Sequence, residues 1–164
     1  MGTNDYTLYL QCSQRWNTAM KSELTLEDRK NLIEYRLSRA SETLVEAQYN
    51  ADGGYFNTAV NRLYYAAYYA ASALMLANGL NSTTHAGIKT MLSLHFVRTG
   101  LLDVEHGRSF LTLFESRQSG DYEDFVYCDL NLFNQLYPKT TSFIEAVKML
   151  IPKGTKLIDS TNNN

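Results

Sequence analysis

The chain has 164 residues, of which 45% are hydrophobic and 20% are charged, with a formal net charge of −2. This length is enough for one domain with a real core, and the composition is that of a globular protein and not of a disordered one. The charge balance excludes a globally basic surface, so a nucleic-acid partner would have to bind a local patch.

The N-terminal part of the chain predicts a loose extension followed by a first helix. Residues 1–21 show no clean hydrophobic period. Thr25, followed three residues later by Asp28, resembles a capping box, and the helix then continues to about Tyr49. Its apolar side chains recur at three- and four-residue steps and form one stripe. The charged residues on its other faces are predicted to be solvated. They are Arg36, Arg39, Glu42 and Glu46.

The second predicted helix, residues 55–78, is the element around which the rest of the chain is organised. Its stretch Leu63–Ala77 holds 15 residues without a charge and is rich in alanine and tyrosine. As a helix this stretch would be about 22 Å long, shorter than the ~30 Å hydrocarbon layer, so a buried core helix is favoured over a membrane span. Because it is apolar nearly all round, it must be covered on several sides. We therefore expect a homodimer in which the second helix meets its copy.

Two further helices are predicted in the middle of the chain. The third helix covers about residues 84–98, and its buried face includes His95. Asp103 is a suitable N-cap for a fourth helix over residues 104–119. Gly120 is a typical residue for the C-terminal stop of this helix.

The C-terminal part predicts a loop, a long helix and a tail. Residues 121–128 are rich in acidic and aromatic side chains and are predicted to form the loop. Asp129 can cap the last helix, about residues 130–151, which Pro138 is expected to kink or briefly break. Residues 152–164 are polar and are predicted to be disordered.

Together these elements predict an all-α domain over residues 22–151, a five-helix up-and-down bundle with short connections. Cys12 and Cys128 match no metal or redox spacing, which favours free thiols in a reducing compartment. The first 20 residues show no signal peptide, so the sequence predicts a cytoplasmic protein. No zinc spacing, phosphate-binding glycine loop or nucleophile elbow is recognisable, and we predict no metal and no cofactor.

The polar residues set into these apolar helices form a series of short motifs. In chain order the motifs are Asn-Arg-x-Tyr-Tyr-Ala (Asn61–Ala66), His-x-Gly (His85–Gly87), Val-x-Thr-Gly (Val97–Gly100), Arg-x-x-x-Asp-Tyr (Arg117–Tyr122) and Pro-x-x-x-x-Phe-Ile (Pro138–Ile144). In this order and spacing they resemble the HEPN-domain family, in particular its small stand-alone bacterial members. The resemblance covers about residues 22–151.

The resemblance implies a four-helix HEPN-like core with one additional helix, and a dimer formed through the central helices. Many HEPN proteins are metal-independent endoribonucleases, often toxins paired with a minimal nucleotidyltransferase antitoxin. Their usual site combines an arginine with a histidine four to six residues later. Arg117 matches the arginine, but Tyr122 stands at the five-residue offset, after Asp121, and no histidine follows. The polar residue that the family carries in the second helix maps to Asn61.

The missing histidine decides between two functions. Cleavage of RNA by transesterification needs a cation for the phosphorane, which an arginine supplies, and a base for the 2′-hydroxyl proton. Histidine, with a pKa near ~6.5, suits the base, whereas tyrosine near ~10 is protonated at neutral pH and aspartate near ~3.9 is a weak base. We therefore expect a non-catalytic or weakly active module that binds RNA, a nucleotide or a partner nucleotidyltransferase. The alternative is a metal-independent endoribonuclease toxin.

The candidate site residues form two groups, and each has a structural alternative. The candidate catalytic residues are Arg117, Asp121 and Tyr122, and the candidate ligand-binding residues are Asn61, Arg62, Tyr65 and His85. Arg117 could instead pair with Asp121 or Glu115. Asn61 and Arg62 could form an internal hydrogen-bond network with Arg117 or Asp121. His85 could cap its helix or reach the site from the third helix, and the tyrosine stripe suits core or dimer packing better than a nucleobase platform.

Overall fold

The computed structural model describes residues 24–80, 82, 84–122 and 128–161. For residues 118–122 and 152–161 it describes the course of the backbone alone. The extension predicted for residues 1–21 lies outside the described residues.

The described residues form five α-helices and no strand. The helices are α1 (Leu26–Asp52), α2 (Phe56–Ala77), α3 (His85–Leu92), α4 (Val104–Tyr122) and α5 (Leu130–Thr161). A π-helical turn, Ser93–Val97, continues α3. The all-α, five-helix up-and-down bundle predicted from the sequence is thereby confirmed.

Four helices begin with a side-chain cap, which in α1, α4 and α5 is the predicted residue. The backbone N–H groups of Asp28, Gly87, Glu105 and Leu132 donate to the side-chain oxygens of Thr25, Thr84, Asp103 and Asp129 at 2.8–3.1 Å. Such caps satisfy backbone donors that have no partner in the first turn of a helix. Gly79, the second residue after α2, has a φ of 67°, which is the left-handed conformation that glycine adopts after a helix end.

The core is organised around α2, which packs against the other four helices and most extensively against α1. Its alanines at positions 66, 67, 70, 71 and 73 are completely buried. Small side chains let neighbouring helices approach the α2 backbone closely, and large aromatic side chains from the other helices fill the remaining space. These aromatic residues are Phe110, Phe133 and Phe143.

A single chain covers most of the α2 surface. Every residue of the stretch Ala70–Ala77 is buried within the chain itself. The other four helices of the same chain therefore cover this stretch, because its alanines let them pack closely around it. A contact of the rest of α2 with a second copy stays a prediction. The partly exposed residues of α2 all precede Ala70. They are Phe56, Asn61, Arg62, Tyr65, Tyr68 and Tyr69.

The prediction that the charged residues of α1 are solvated is wrong for Arg36. Arg36 donates to the backbone oxygen of Ser72 at 2.8 Å, and Arg29 donates to that of Leu76 at 3.1 Å. Burial lowers the pKa of Arg36. The long arginine stem lets the guanidinium lie along an apolar surface and still reach a polar partner, which hydrophobic periodicity does not reveal. Arg39 bridges to Glu42 at 2.6 Å on the outer surface.

The π-helical turn changes which residues of the third helix are buried. Phe96 is buried in line with Ile88 and Leu92, but His95 is exposed. The prediction that His95 lies on the buried face assumed a regular α-helix. A π-turn closes hydrogen bonds five residues apart, so it is wider and rotates the following side chains away from their α-helical positions.

Two helices extend beyond their predicted ends. Gly120 does not stop α4, which ends at Tyr122, because a glycine inside a helix costs about 1 kcal/mol relative to alanine but does not by itself end the helix. Of the loop predicted for residues 121–128, the first two residues are therefore helical, and residues 123–127 lie outside the described residues. In α5, Pro138 does not interrupt the helix.

The last helix also enters the segment predicted to be a tail, since α5 continues past residue 151 to Thr161. Extending an existing helix adds one hydrogen bond for each residue fixed, whereas starting a helix is unfavourable. A polar segment that follows a packed helix can therefore remain helical without an apolar stripe of its own.

We predict that Ala70→Leu destabilises the fold, because the larger side chain cannot enter the contact between α2 and its neighbours without displacing them. The expected loss in the free energy of unfolding is about 1–3 kcal/mol. Urea unfolding followed by circular dichroism measures it. Ala86→Leu is the matched control, because Ala86 is exposed on α3, and its effect should stay within about 0.5 kcal/mol. Equal losses for both variants would contradict the close packing around α2.

Candidate functional site

The candidate site forms where α2, α3 and α4 meet around the buried side chain of Tyr64. The Tyr64 hydroxyl lies 2.6 Å from Nδ1 of His85, the first residue of α3. The guanidinium carbon of Arg117, on α4, lies 5.4 Å from the centre of the Tyr64 ring. One tyrosine thus contacts both a histidine and an arginine that are far apart in the sequence.

Two further tyrosines of α2 extend this meeting point to the surface. The His85 ring centre is 4.3 Å from that of Tyr68 and 6.0 Å from that of Tyr65. The Tyr65 ring is approached by two cations, since its centre lies 5.8 Å from the Arg117 guanidinium carbon and 5.1 Å from that of Arg62. Cations at this distance from a ring face are attracted by its quadrupole.

We call this group of side chains the arginine–tyrosine cluster. It consists of Arg62, Tyr64, Tyr65, Tyr68, His85 and Arg117. Tyr64 is fully buried, and the other five are partly exposed. The cluster therefore combines a fixed interior with an accessible outer side.

Burial controls the protonation of the two titratable groups at the centre. Burial raises the pKa of the Tyr64 hydroxyl, an effect that the nearby Arg117 cation partly opposes. Burial also lowers the pKa of His85, and here the Arg117 cation acts in the same direction. At neutral pH the site thus contains a protonated tyrosine and a neutral imidazole. Because Nδ1 is engaged by Tyr64, Nε2 is the ring nitrogen that can serve a ligand.

Asn61 and Arg62 connect the cluster to α1. Arg62 donates to the side-chain oxygen of Asn61 at 3.2 Å and lies 3.6 Å from a carboxylate oxygen of Glu46. Arg62 thus pairs with α1, and the Tyr65 ring lies between the guanidinium groups of Arg62 and Arg117. Within the described part of the chain, the Nε atom of Arg62 is buried without a hydrogen-bond partner.

The structure brings together four of the seven predicted site residues. Arg62, Tyr65, His85 and Arg117 belong to the cluster, and Asn61 lies next to it through its hydrogen bond to Arg62. Asp121 and Tyr122 follow Arg117 on the last turn of α4, and their side chains lie outside the described part.

Sequence analysis did not assign a role to two members of the cluster, Tyr64 and Tyr68. Their four-residue spacing places them on one face of α2, which is a signal that can be read from the sequence. It does not show that this face meets His85, because that depends on how α3 packs against α2.

Neither a metal site nor a membrane span is found in the described ranges. No three His, Cys, Asp or Glu side chains there are grouped so that they could hold a metal ion. No helix there combines the length and the apolar character needed to cross a membrane.

We predict that His85 makes folding stability depend on pH. Because its pKa is lower in the folded chain than in the unfolded one, the unfolded chain binds this proton more readily. The contribution of neutral His85 should be complete above about pH 6.5 and should be lost as the pH falls through the lower pKa of the folded state. Urea unfolding between about pH 7.5 and about pH 5.5 should show a smaller loss of stability for His85→Gln than for wild type.

His95→Gln, at an exposed position, is the control and should behave like wild type. An unchanged pH dependence in His85→Gln would contradict the buried environment of this imidazole.

Comparison with known proteins places these features in a family. A family model described as the HEPN domain matches residues 33–150. A UPF0332 protein of Thermotoga maritima is 34% identical over 126 residues, which cover 77% of this chain and 96% of that protein. A protein of Methanocaldococcus jannaschii, named as a candidate toxin, is 30% identical over 147 residues, which cover 83% of this chain and 97% of that protein. A second candidate toxin of the same organism is 33% identical over 103 residues, covering 63% of this chain and 76% of that protein.

The matched segment contains all of α2, α3 and α4, and with them every residue of the arginine–tyrosine cluster. The family resemblance predicted from the five sequence motifs is confirmed over most of the domain. The chain belongs to the HEPN-domain family.

Proposed function

We propose that this protein binds single-stranded RNA at the arginine–tyrosine cluster. The observation that carries the proposal is the position of the Tyr65 ring, which is partly exposed and lies within 6 Å of the guanidinium carbons of both Arg62 and Arg117. A ring that can stack on a base thus lies beside cations that can bind the adjacent phosphates.

The chemistry of these side chains suits RNA better than it suits a small polar metabolite. Guanidinium groups bind phosphate oxygens in a bidentate manner, and unpaired bases stack on aromatic side chains. His85 and Tyr68 add a second pair of rings next to Tyr65. The local placement of the cations also explains how a chain with a net charge of −2 could bind a polyanion. A cytoplasmic location, the compartment predicted from the sequence, would give the protein access to RNA.

Cleavage of the bound RNA is a second candidate function, favoured by the position of His85. The HEPN arginine usually has its histidine partner a few residues later, but here His85 approaches from another helix and shares Tyr64 with Arg117. If Nδ1–H donates to the Tyr64 oxygen, Nε2 carries a lone pair and can take the proton of a 2′-hydroxyl. The 2′-oxygen then attacks phosphorus, the bond from phosphorus to the 5′-oxygen breaks, and the leaving 5′-oxygen takes a proton from water. Arg117 would stabilise the charge on the phosphorane.

The names of two relatives as candidate toxins support a toxin-like role for such an activity. A toxin of this kind needs a neutralising partner, and we propose a minimal nucleotidyltransferase for it, as the family resemblance implies. A reading frame for a small nucleotidyltransferase next to this gene would support the pairing.

A second copy of the chain is proposed to pack against the exposed side of α2. Tyr69, which lies next to Tyr68 on this helix but is not part of the arginine–tyrosine cluster, leaves a partly exposed aromatic face. Aromatic side chains are enriched in the cores of protein interfaces. Contact between two such faces would bring two arginine–tyrosine clusters close together and would double the number of cations available to one RNA strand.

Sedimentation equilibrium tests the dimer. We expect twice the mass of one chain, and we expect Tyr69→Glu to shift the equilibrium toward the monomer because it places a charge in the apolar interface. Tyr35→Glu is the matched control, since Tyr35 is 60% exposed on the outer side of α1. A strictly monomeric wild-type chain at high micromolar concentration would remove the shared site but not the binding of RNA by one chain.

RNA binding is tested by fluorescence anisotropy with a labelled single-stranded RNA of mixed sequence. Arg117→Ala should weaken binding about tenfold or more, because a hydrogen bond to a charged group contributes about 1.5–3 kcal/mol. Tyr65→Ala should have an effect of similar size through the loss of a stacked base, which contributes about 1–3 kcal/mol. Binding should weaken linearly in a logarithmic plot against salt. Arg108→Ala, an exposed arginine of the same helix, should leave the affinity near that of wild type.

The same RNA, incubated with EDTA, separates binding from cleavage. Products with a 2′,3′-cyclic phosphate that are lost in both His85→Ala and Arg117→Ala would support the nuclease. Binding without products leaves the non-catalytic module. Two results would reject the cluster as an RNA site. One is no RNA binding by wild type, and the other is equal RNA affinity in wild type, Arg117→Ala and Tyr65→Ala.

A further inference from the structure

A groove between α3 and α4 shares no residue with the arginine–tyrosine cluster. This α3–α4 groove has a volume of about 470 Å³ and lies between the stretch Lys89–Arg98 and the first half of α4. Leu92 and Phe110 are buried at its base. Leu94, Val104 and Leu111 line it and are 44%, 51% and 40% exposed. Apolar side chains of this size are thus presented to solvent along both walls.

The two walls of the groove, α4 and the π-helical turn, approach each other closely at Gly107. Gly107 of α4 faces Val97, and a Cβ atom at position 107 would come within 2.8 Å of a Val97 methyl group. The absence of that Cβ lets α4 approach the π-helical turn. The turn itself is wider than an α-helix, and such turns are frequent at functional sites.

The lining favours a helical peptide over a small polar ligand. Among the described residues, the buried side-chain atoms without a hydrogen-bond partner all belong to other parts of the molecule. The groove therefore offers no buried polar group that waits for a ligand, whereas a helix satisfies its own backbone groups and needs only an apolar surface. The stretch Lys89–Arg98 would be about 15 Å long as a helix, which matches between two and three turns of a docked helix.

The charged side chains around the groove favour a partner with negative charge. Lys89, Arg98 and Arg108 line it, and no aspartate or glutamate does. Glu105 lies beside it and pairs with Arg108 at an exposed position. In a chain with a net charge of −2, three cations around one apolar groove are a local concentration of positive charge that complements acidic side chains.

We infer that the α3–α4 groove binds an acidic amphipathic helix of a partner protein. Two or three large apolar side chains, spaced three or four residues apart, enter the groove between Leu94 and Leu111. Acidic side chains on the flanks of the same helix contact Arg98, Arg108 and Lys89. This binding does not depend on RNA binding at the cluster, because the two sites share no side chain.

The inference is tested with a displayed library of random peptides about four or five helical turns long. The library is selected on the wild-type chain, with removal of peptides that also bind Leu94→Glu. We expect the enriched peptides to carry Leu, Ile, Phe or Met at helical spacing together with Asp and Glu. In fluorescence anisotropy, the best peptide should bind Leu94→Glu and Arg98→Glu at least about tenfold more weakly than wild type, as for loss of a central anchor.

Matched controls separate the groove from unspecific effects. Val45→Glu and Lys30→Glu make the same changes at exposed positions of α1 and should leave peptide affinity unchanged. Thermal melting confirms that all four variants fold, which their exposed positions lead us to expect.

Three results would overturn the inference. The first is no enrichment over Leu94→Glu, and the second is enriched peptides without acidic residues. The third is a different occupant of the groove. A second copy of the chain would be shown by dimers that Leu94→Glu abolishes. A fatty acid or RNA would be shown if peptides fail to bind while decanoate or single-stranded RNA binds wild type and not Leu94→Glu.

Discussion

The alanine side chains of α2 let four other helices approach its backbone, and the rest of the fold depends on this contact. A helix with larger side chains on all faces could not be enclosed by a bundle of this size. The close approach buries the stretch Ala70–Ala77 completely. Large polar side chains are excluded from that stretch and lie in the part of α2 that precedes it. The position of the arginine–tyrosine cluster thus follows from how the core is packed.

Within the cluster, Tyr64 connects the buried core to the side chains of His85 and Arg117. Its ring is part of the buried aromatic packing and contacts Phe110 and Phe114 at centroid distances of 6.2 and 6.1 Å. Its hydroxyl holds the imidazole of His85, and its ring face holds the guanidinium of Arg117. A histidine from a separate helix therefore lies near the arginine at which the family motif lacks its usual histidine. The missing motif residue does not leave the site without an imidazole.

The features that could be predicted from the sequence are those that depend on neighbouring residues. The caps at Thr25, Asp103 and Asp129 were predicted correctly, because capping needs only a side chain and a few adjacent backbone groups. The α2 core was also predicted, since a long uncharged run has few alternatives in a globular domain. Arg117 and His85 were recognised as candidates because polar residues on apolar helices need partners.

The features that could not be predicted depend on packing between helices or on local departures from α-helical geometry. Tyr64 and His85 are 21 residues apart, and their hydrogen bond depends on the rotation of α3 about its own axis. The exposure of His95 depends on a π-turn that leaves no mark in the hydrophobic period. Arg36 was assigned to the solvent because periodicity describes where a side chain starts and not how far it reaches.

The hydrogen bonds of Arg29 and Arg36 to the α2 backbone affect how α1 and α2 are aligned along their axes. A surface made of alanines is smooth, so it offers few side-chain ridges to stop one helix from sliding along another. The two arginines attach to the Leu76 and Ser72 carbonyls, at two separate levels of α2. These two hydrogen bonds fix the position of α1 along the axis of α2. A shift of α1 by one residue along α2 would break both of them. The arginines thus supply the register that the alanine surface lacks, and with it the height at which Glu46 meets Arg62.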